Sequence, residues 1–136
     1  MEKAILRKQM INTLKQLPKT RKQKKERLIV ELLFASQAWQ KATSIGVIRS
    51  LPFEFDTTAI FLQATKENKH VAVPKTVNNA LHFYEVDRHT RYQKSAFGVE
   101  EPISEDQALH LDLLLVPGLI FSSTGYRIGF GGGYYD

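Results

Sequence analysis

The last twelve residues constrain this chain most. Gly125-Tyr126-Arg127-Ile128-Gly129-Phe130-Gly131-Gly132-Gly133-Tyr134-Tyr135-Asp136 holds five of the eight glycines and comes after an apolar run, Leu111 to Pro117. An apolar strand feeding a glycine-rich turn belongs in a sheet covered on both faces. Such a turn is also suited to phosphate. Backbone N–H groups close on an anion only where no Cβ intervenes, and a following helix N-terminus adds positive potential. The loop has no Lys-Ser/Thr of a Walker motif. It also stands late and lacks the downstream ribose-binding acid of a dinucleotide fingerprint.

The pattern upstream alternates helix and strand periods, which predicts an α/β layered domain. Leu6, Met10, Leu14 and Leu17 repeat at helical spacing, predicting a helix over 2–17 that Pro18 stops. A second helix is expected over 20–41, burying Leu28, Ile29, Leu32, Leu33, Ser36 and Trp39. Ser44 to Ile48 reads as a short buried strand, Thr58 to Asn68 as a helix capped by Asp56 or Thr57, and Val71 to Val73 as a strand closed by Pro74. Leu81 to Val86 alternates like an edge strand. Residues 87–110 read as loop with a short helix near Ser104 to Ala108, and Leu111 to Val116 as the central strand of a covered parallel sheet. The 136 residues make one domain, a basic helical region at 1–41 joined to a sheet-forming body at 42–136.

Composition narrows the chemistry. The absence of cysteine excludes disulfides, thiolate metal sites and cysteine nucleophiles, and fits a cytoplasmic protein. No apolar run approaches the ~20 residues of a membrane span. The net charge of +5 is uneven: residues 1–41 carry eleven basic and three acidic side chains, net +8, and the remainder is net −3. A basic arm on an acidic body suggests an anionic partner such as a nucleotide, a polyglutamate or RNA, or simply a solvated helix face. No aromatic residues interleave the basic run from Lys19 to Arg27, so nucleic acid is not the expected partner.

Within the loop, Gly129, Gly131, Gly132 and Gly133 are candidates to wrap phosphates, with Arg127 as a charged fork. Tyr134 and Tyr135 suit stacking on a heterocycle or anchoring in the core. Asp136 suits a Mg2+ carried by phosphate oxygens, or a first-turn helix carboxylate. Lys3 and Arg7 share one helix face, where they can clamp an anion or face solvent. Glu54 follows a strand end, the usual ligand side of an open sheet. His70, His82, His89 and His110 show no metal spacing.

Taken in order, Leu114-Leu115-Val116-Pro117-Gly118-Leu119-Ile120-Phe121 and then Gly125 to Asp136 resemble the signature of the 5-formyltetrahydrofolate cyclo-ligase (methenyltetrahydrofolate synthetase) family. Weaker echoes are Lys3-x-x-x-Arg7, Val73-Pro74-Lys75, Glu54-Phe55-Asp56-Thr57 and Phe97-Gly98-Val99-Glu100-Glu101-Pro102. The resemblance implies a three-layer α/β/α fold with a mostly parallel central sheet. It also implies ATP- and Mg2+-dependent cyclisation of 5-formyltetrahydrofolate to 5,10-methenyltetrahydrofolate by a monomer, releasing ADP and phosphate. By the same resemblance Lys3, Arg7 and Arg127 through Tyr135 match ATP-binding positions, and Arg127 is the candidate catalytic residue. Phe130 through Tyr134 overlap folate contacts, Glu54 matches a folate-binding acid, and Asp136 matches a Mg2+ ligand. Against the family pattern the chain ends early, which leads to an expectation of impaired activity for these 136 residues alone. The competing class is a non-enzymatic module that binds RNA or another polyanion through the basic arm.

Overall fold

The computed structural model describes residues 2–135. Helix α1 (Glu2–Gln16) runs to the residue pair before Pro18, where the fixed ring turns the chain into α2 (Lys19–Ala35). The expected single helix over 20–41 is instead two. Ser36 adopts extended backbone (φ −72°, ψ 149°) and accepts a hydrogen bond from Trp39 N–H at 3.2 Å, capping α3 (Gln37–Lys41). The break changes which residues are buried. Val30 and Trp39 are in the core, whereas Leu28, Ile29 and Leu32 of the expected stripe are exposed.

The sheet has the order β3-β2-β1-β6, with β1 (Ser44–Gly46), β2 (His70–Val77), β3 (Ala80–Val86) and β6 (Leu113–Leu114). Strands β2, β1 and β6 run parallel and β3 is antiparallel, so the sheet is mostly parallel and the fold is α/β, as expected. Between β1 and β2 lies α4 (Thr58–Lys66), whose Ile60 and Ala64, one turn apart, are buried. Asp56 Oδ1 accepts from Thr58 N–H at 3.0 Å at its start. The core gathers Trp39, Ala42, Ile45, Val47, Ile60, Ala64 and Val71, so α3 and α4 pack on the β1–β2 pair. Lys69 Nζ donates to the carbonyls of Trp39 (2.8 Å) and Ala42 (2.6 Å), placing a cation at the carboxyl end of α3.

Four expectations are corrected. Strand β2 does not close at Pro74 but runs through it. Pro74 pairs with Phe83, whose carbonyl accepts from Ala108 N–H on the far side; the pair's backbone groups therefore point away from each other, and the missing N–H removes no ladder bond. The loop expected at 87–110 contains a hairpin, β4 (Arg91–Lys94) and β5 (Glu100–Ile103), and Ser104 to Ala108 forms no helix. The apolar run at 111–116 yields only the two-residue β6, paired on one side among the described residues, with Leu114 and Val116 half exposed rather than centrally covered. A further hairpin, β7 (Ile120–Phe121) and β8 (Arg127–Ile128), stands between β6 and the glycine loop, which the apolar strand therefore does not feed directly. The β2–β3 turn uses Asn78 and Asn79, both at positive φ (51° and 63°), which matches the right-handed twist of the strands. No described helix is long and apolar enough to cross a membrane.

Candidate functional site

Two remote segments, α1 and the turn after β1, meet the glycine loop and the adjoining strand β8. From α1, Arg7 Nε donates to the Gly129 carbonyl at 2.9 Å, and its guanidinium lies so close to Gly131 that a Cβ there would stand 3.2 Å from Arg7 Cζ. From the turn after β1, the Phe53 ring lies 6.2 Å from Phe130, tilted 55°, and Lys15 Nζ stands 5.5 Å from the Phe53 centroid. From β8, Arg127 Nη1 donates to the Pro117 carbonyl at 2.8 Å, and the guanidinium fills the space that a Cβ would need at Gly129. Gly118 is needed for the same reason, since a Cβ there would lie 2.9 Å from Arg127 Cγ.

The loop itself is open. Gly131 and Gly133 have positive φ (99° and 72°), and residues 130–134 are exposed. Among the described residues, no N–H from Phe130 to Gly133 donates to a protein acceptor. Exposed, unpaired amides in a turn that alternates backbone hand have the chemistry to accept an anion. The Tyr134 ring folds back over Gly132, where a Cβ would stand 2.7 Å from Tyr134 Cε2.

Electrostatics link Glu54 to the far end of the loop. Glu54 Oε1 accepts from Leu51 N–H at 2.8 Å, which closes the turn. Burial raises its pKa above the usual carboxylate value and outweighs that hydrogen bond. Tyr135 is half-buried, and its phenol is pushed up to about 12 by burial and then by the Glu54 charge, with Arg127 acting the other way. Glu54 therefore shares one field with Tyr135 and Arg127 although it lies far from both in sequence.

Of the residues singled out by sequence, the structure brings together Arg7, Glu54, Arg127, Gly129, Phe130, Gly131 and Tyr135. Lys3, one turn before Arg7, is exposed and makes no hydrogen bond or ion pair among the described residues. Gly132, Gly133 and Tyr134 lie in the exposed part of the loop. Asp136 lies outside the described residues. Sequence reasoning passed over Phe53, Lys15 and the Pro117 carbonyl. Phe53 sits beside Glu54 in the same turn, which was the available signal, whereas nothing in the sequence pairs Lys15 with it. Next to Phe53 a cleft of about 630 Å³ opens between the α1–α2 junction and the turn; Lys15, Lys19 and Lys22 line it with Glu26 and Asp56.

The family model described as "5-formyltetrahydrofolate cyclo-ligase family" matches residues 1–136. The chain is 30% identical over 145 residues to a probable 5-formyltetrahydrofolate cyclo-ligase of Caenorhabditis elegans, covering 98% of this chain and 70% of that one. A probable 5-formyltetrahydrofolate cyclo-ligase of Schizosaccharomyces pombe is 29% identical over 106 residues, 72% of this chain and 52% of the relative. The solution structure of Aquifex aeolicus 5,10-methenyltetrahydrofolate synthetase superimposes with a TM-score of 0.85 at 28% identity, covering all of this chain and 71% of that one. The chain thus spans about half to 70% of the length of these relatives. With a family match along its whole length, the chain belongs to the 5-formyltetrahydrofolate cyclo-ligase family, a family of ligases.

Proposed function

We propose that the chain carries the site for ATP-dependent conversion of 5-formyltetrahydrofolate to 5,10-methenyltetrahydrofolate, with ADP and phosphate as co-products. One observation carries the reading. Arg7 bridges α1 to a loop of unpaired amides while Glu54 and Tyr135 meet at the other end of that loop. This arrangement supports an anion at one end and a polar heterocycle at the other.

On this reading the N–H groups of residues 130–133 and the Arg7 guanidinium take the nucleotide phosphates, and Lys3 adds long-range positive potential from the same helix face. Arg127 sits at the junction and opposes the negative charge that builds on the transferred phosphoryl group. The formyl oxygen attacks the γ-phosphorus and ADP leaves. The adjacent N-10 amine then adds to the activated carbon, and loss of phosphate and of the amine proton gives the methenyl bridge. Alignment and charge neutralisation serve such a sequence better than a protein nucleophile. Glu54 accepts from an N–H of the folate ring while the Tyr135 hydroxyl, protonated at neutral pH, donates. Phe53 and Phe130 offer apolar surface to the ring.

Mg2+ enters as the counter-ion of ATP, neutralising phosphate charge. No cluster of three or more acidic, His or Cys ligands occurs among the described residues, which fits an ion held chiefly by phosphate oxygens and water. Asp136 is the proposed protein ligand. The cytoplasm and a monomer are the proposed setting.

The test is the appearance of methenyltetrahydrofolate absorbance when the chain is mixed with 5-formyltetrahydrofolate and Mg-ATP, against an ATP-free control. An ATP-dependent signal that Arg127→Ala abolishes is the expected result. A folded chain that binds neither ligand overturns the assignment of the site. Steeply salt-dependent RNA binding, lost on neutralising Lys22, Lys24 and Lys25, would favour the polyanion module instead.

A further inference from the structure

Arg49 ties together three elements that no sequence pattern connects. It lies three residues past β1, at the carboxyl end of the parallel strands. Its Nε and Nη2 both donate to Glu100 Oε2 of β5, at 3.1 and 3.0 Å. Its guanidinium carbon stands 4.5 Å from the Tyr92 ring centroid of β4 and 5.5 Å from Phe61 of α4. The β4–β5 hairpin has a second attachment on the neighbouring strand, where Glu101 Oε2 accepts from Thr76 N–H at 2.9 Å, and Pro102 beside it is fully buried. The hairpin is thus moored to the exits of both β1 and β2. In open sheets this end of the parallel strands borders the ligand crevice.

The same residue sits at the root of the turn that carries Glu54. Thr57 brackets it, donating its hydroxyl to the Ile48 carbonyl at 2.8 Å and its N–H to Ser50 Oγ at 3.3 Å. The Arg49 and Glu100 side chains are 38% and 41% exposed, so charge alone would contribute little. A planar guanidinium lying over two aromatic rings holds its orientation in a way that an ammonium on a flexible stem does not.

We infer that Arg49 is a positioning residue for the folate half of the site. It fixes the β4–β5 hairpin beside the Glu54 turn, so that the two form one wall of the crevice. The nucleotide half, built on Arg7 and the glycine loop, does not depend on it. This inference rests on the folate reading above.

The experiment measures dissociation constants of 5-formyltetrahydrofolate and of Mg-ATP separately for the full chain and for Arg49→Leu, Arg49→Lys and Glu100→Gln, together with amide hydrogen exchange over 91–103. Arg49→Leu and Arg49→Lys are each expected to weaken formylfolate binding about tenfold, and Glu100→Gln, whose amide oxygen still accepts from the guanidinium, less than that. Mg-ATP binding stays within about twofold and hairpin exchange quickens. Arg49→Lys keeps the charge and fails to rescue, because it lacks the fork. Glu100→Gln preserves shape and guards against a folding failure. Unchanged formylfolate binding, an equal loss of both ligands, or full rescue by lysine would each overturn the inference. If the parent chain binds Mg-ATP but no formylfolate, the folate reading itself fails and takes the inference with it; if the parent binds and the variants bind equally, only the inference fails.

Discussion

Gly131→Ala is the sharpest probe of the loop, because Gly133→Ala supplies its control. Both glycines have positive φ, 99° and 72°, so an alanine at either strains the backbone by about 1–2 kcal/mol. They differ in what the new methyl meets. At Gly133 nothing lies within 4 Å, whereas at Gly131 the methyl would stand 3.2 Å from Arg7 Cζ and 3.3 Å from Arg7 Nη1. Arg7 must yield by a few tenths of an ångström, which strains its 2.9 Å bond to the Gly129 carbonyl, a charge-assisted contact in a half-open site worth about 1 kcal/mol. The loop is exposed and its distortion is local, so the cost falls on nucleotide binding rather than on the unfolding midpoint. Calorimetric titration with a non-hydrolysable ATP analogue should show Gly133→Ala weakened about tenfold and Gly131→Ala about fivefold further. In an Arg7→Ala background the two glycine variants should converge, since the methyl then has nothing to displace. A gap that persists in that background, or no gap in the parent, would refute the proposed Arg7 coupling.

Other residues give independent checks. Trp39, the single tryptophan, is fully buried, has its ring 4.8 Å from Phe34 at a 49° tilt and donates Nε1–H to Glu67; Trp39→Ala should cost about 3–5 kcal/mol in urea unfolding, and a cost under about 1 kcal/mol would contradict the core described above. Glu54 has a pKa raised by burial, so the folded state holds its proton more tightly than the unfolded chain. Its contribution to stability is full below about 4.5 and is lost as pH rises through the raised value, so Glu54→Gln should gain stability over the parent as pH climbs toward 7; a pH-independent difference would speak against it. The same substitution removes a negative neighbour of Tyr135 and should bring that phenol down from about 12, read by tyrosinate absorbance. Asp112 accepts from Thr43 N–H and Oγ–H, both at 2.8 Å, and its pKa is lowered to about 2, mainly by the Thr43 bonds. Its contribution is present above the ordinary carboxylate range and fades as pH falls toward 2, so Asp112→Asn should flatten the acid limb of the stability curve.

Much of the chain was legible from local chemistry. Pro18 ending the first helix, the helix start at Thr58 after Asp56-Thr57 and the edge strand at Leu81 to Val86 each follow from rules acting over a few residues. The elements misread were those whose fate rests on distant partners. Pro74 stays in a strand because β3 pairs with its other side, and that pairing is set by a turn at Asn78-Asn79. Hairpin β4–β5 has short, polar strands that show no alternation of their own, and it is held by Glu101 to β2 and by Glu100 to Arg49.

The same division runs through the site. Sequence by itself determined the chemical inventory: an arginine beside glycines, aromatic residues following them, a carboxylate after a strand, no thiol, and a signature that marks the family. Tertiary structure decided which of these meet. Spacing puts Lys3 and Arg7 on one helix face, but only the packing of α1 against residue 129 gives Arg7 a partner and leaves Lys3 in solvent. Phe53 and Glu54 acquire their neighbours Phe130 and Tyr135 across more than seventy residues of chain. Local propensities carry no term for contacts at that separation. Tertiary packing supplies it: burial in the folded molecule raises the affinity of Glu54 and Tyr135 for their protons, and the Glu54 charge adds to the effect at Tyr135.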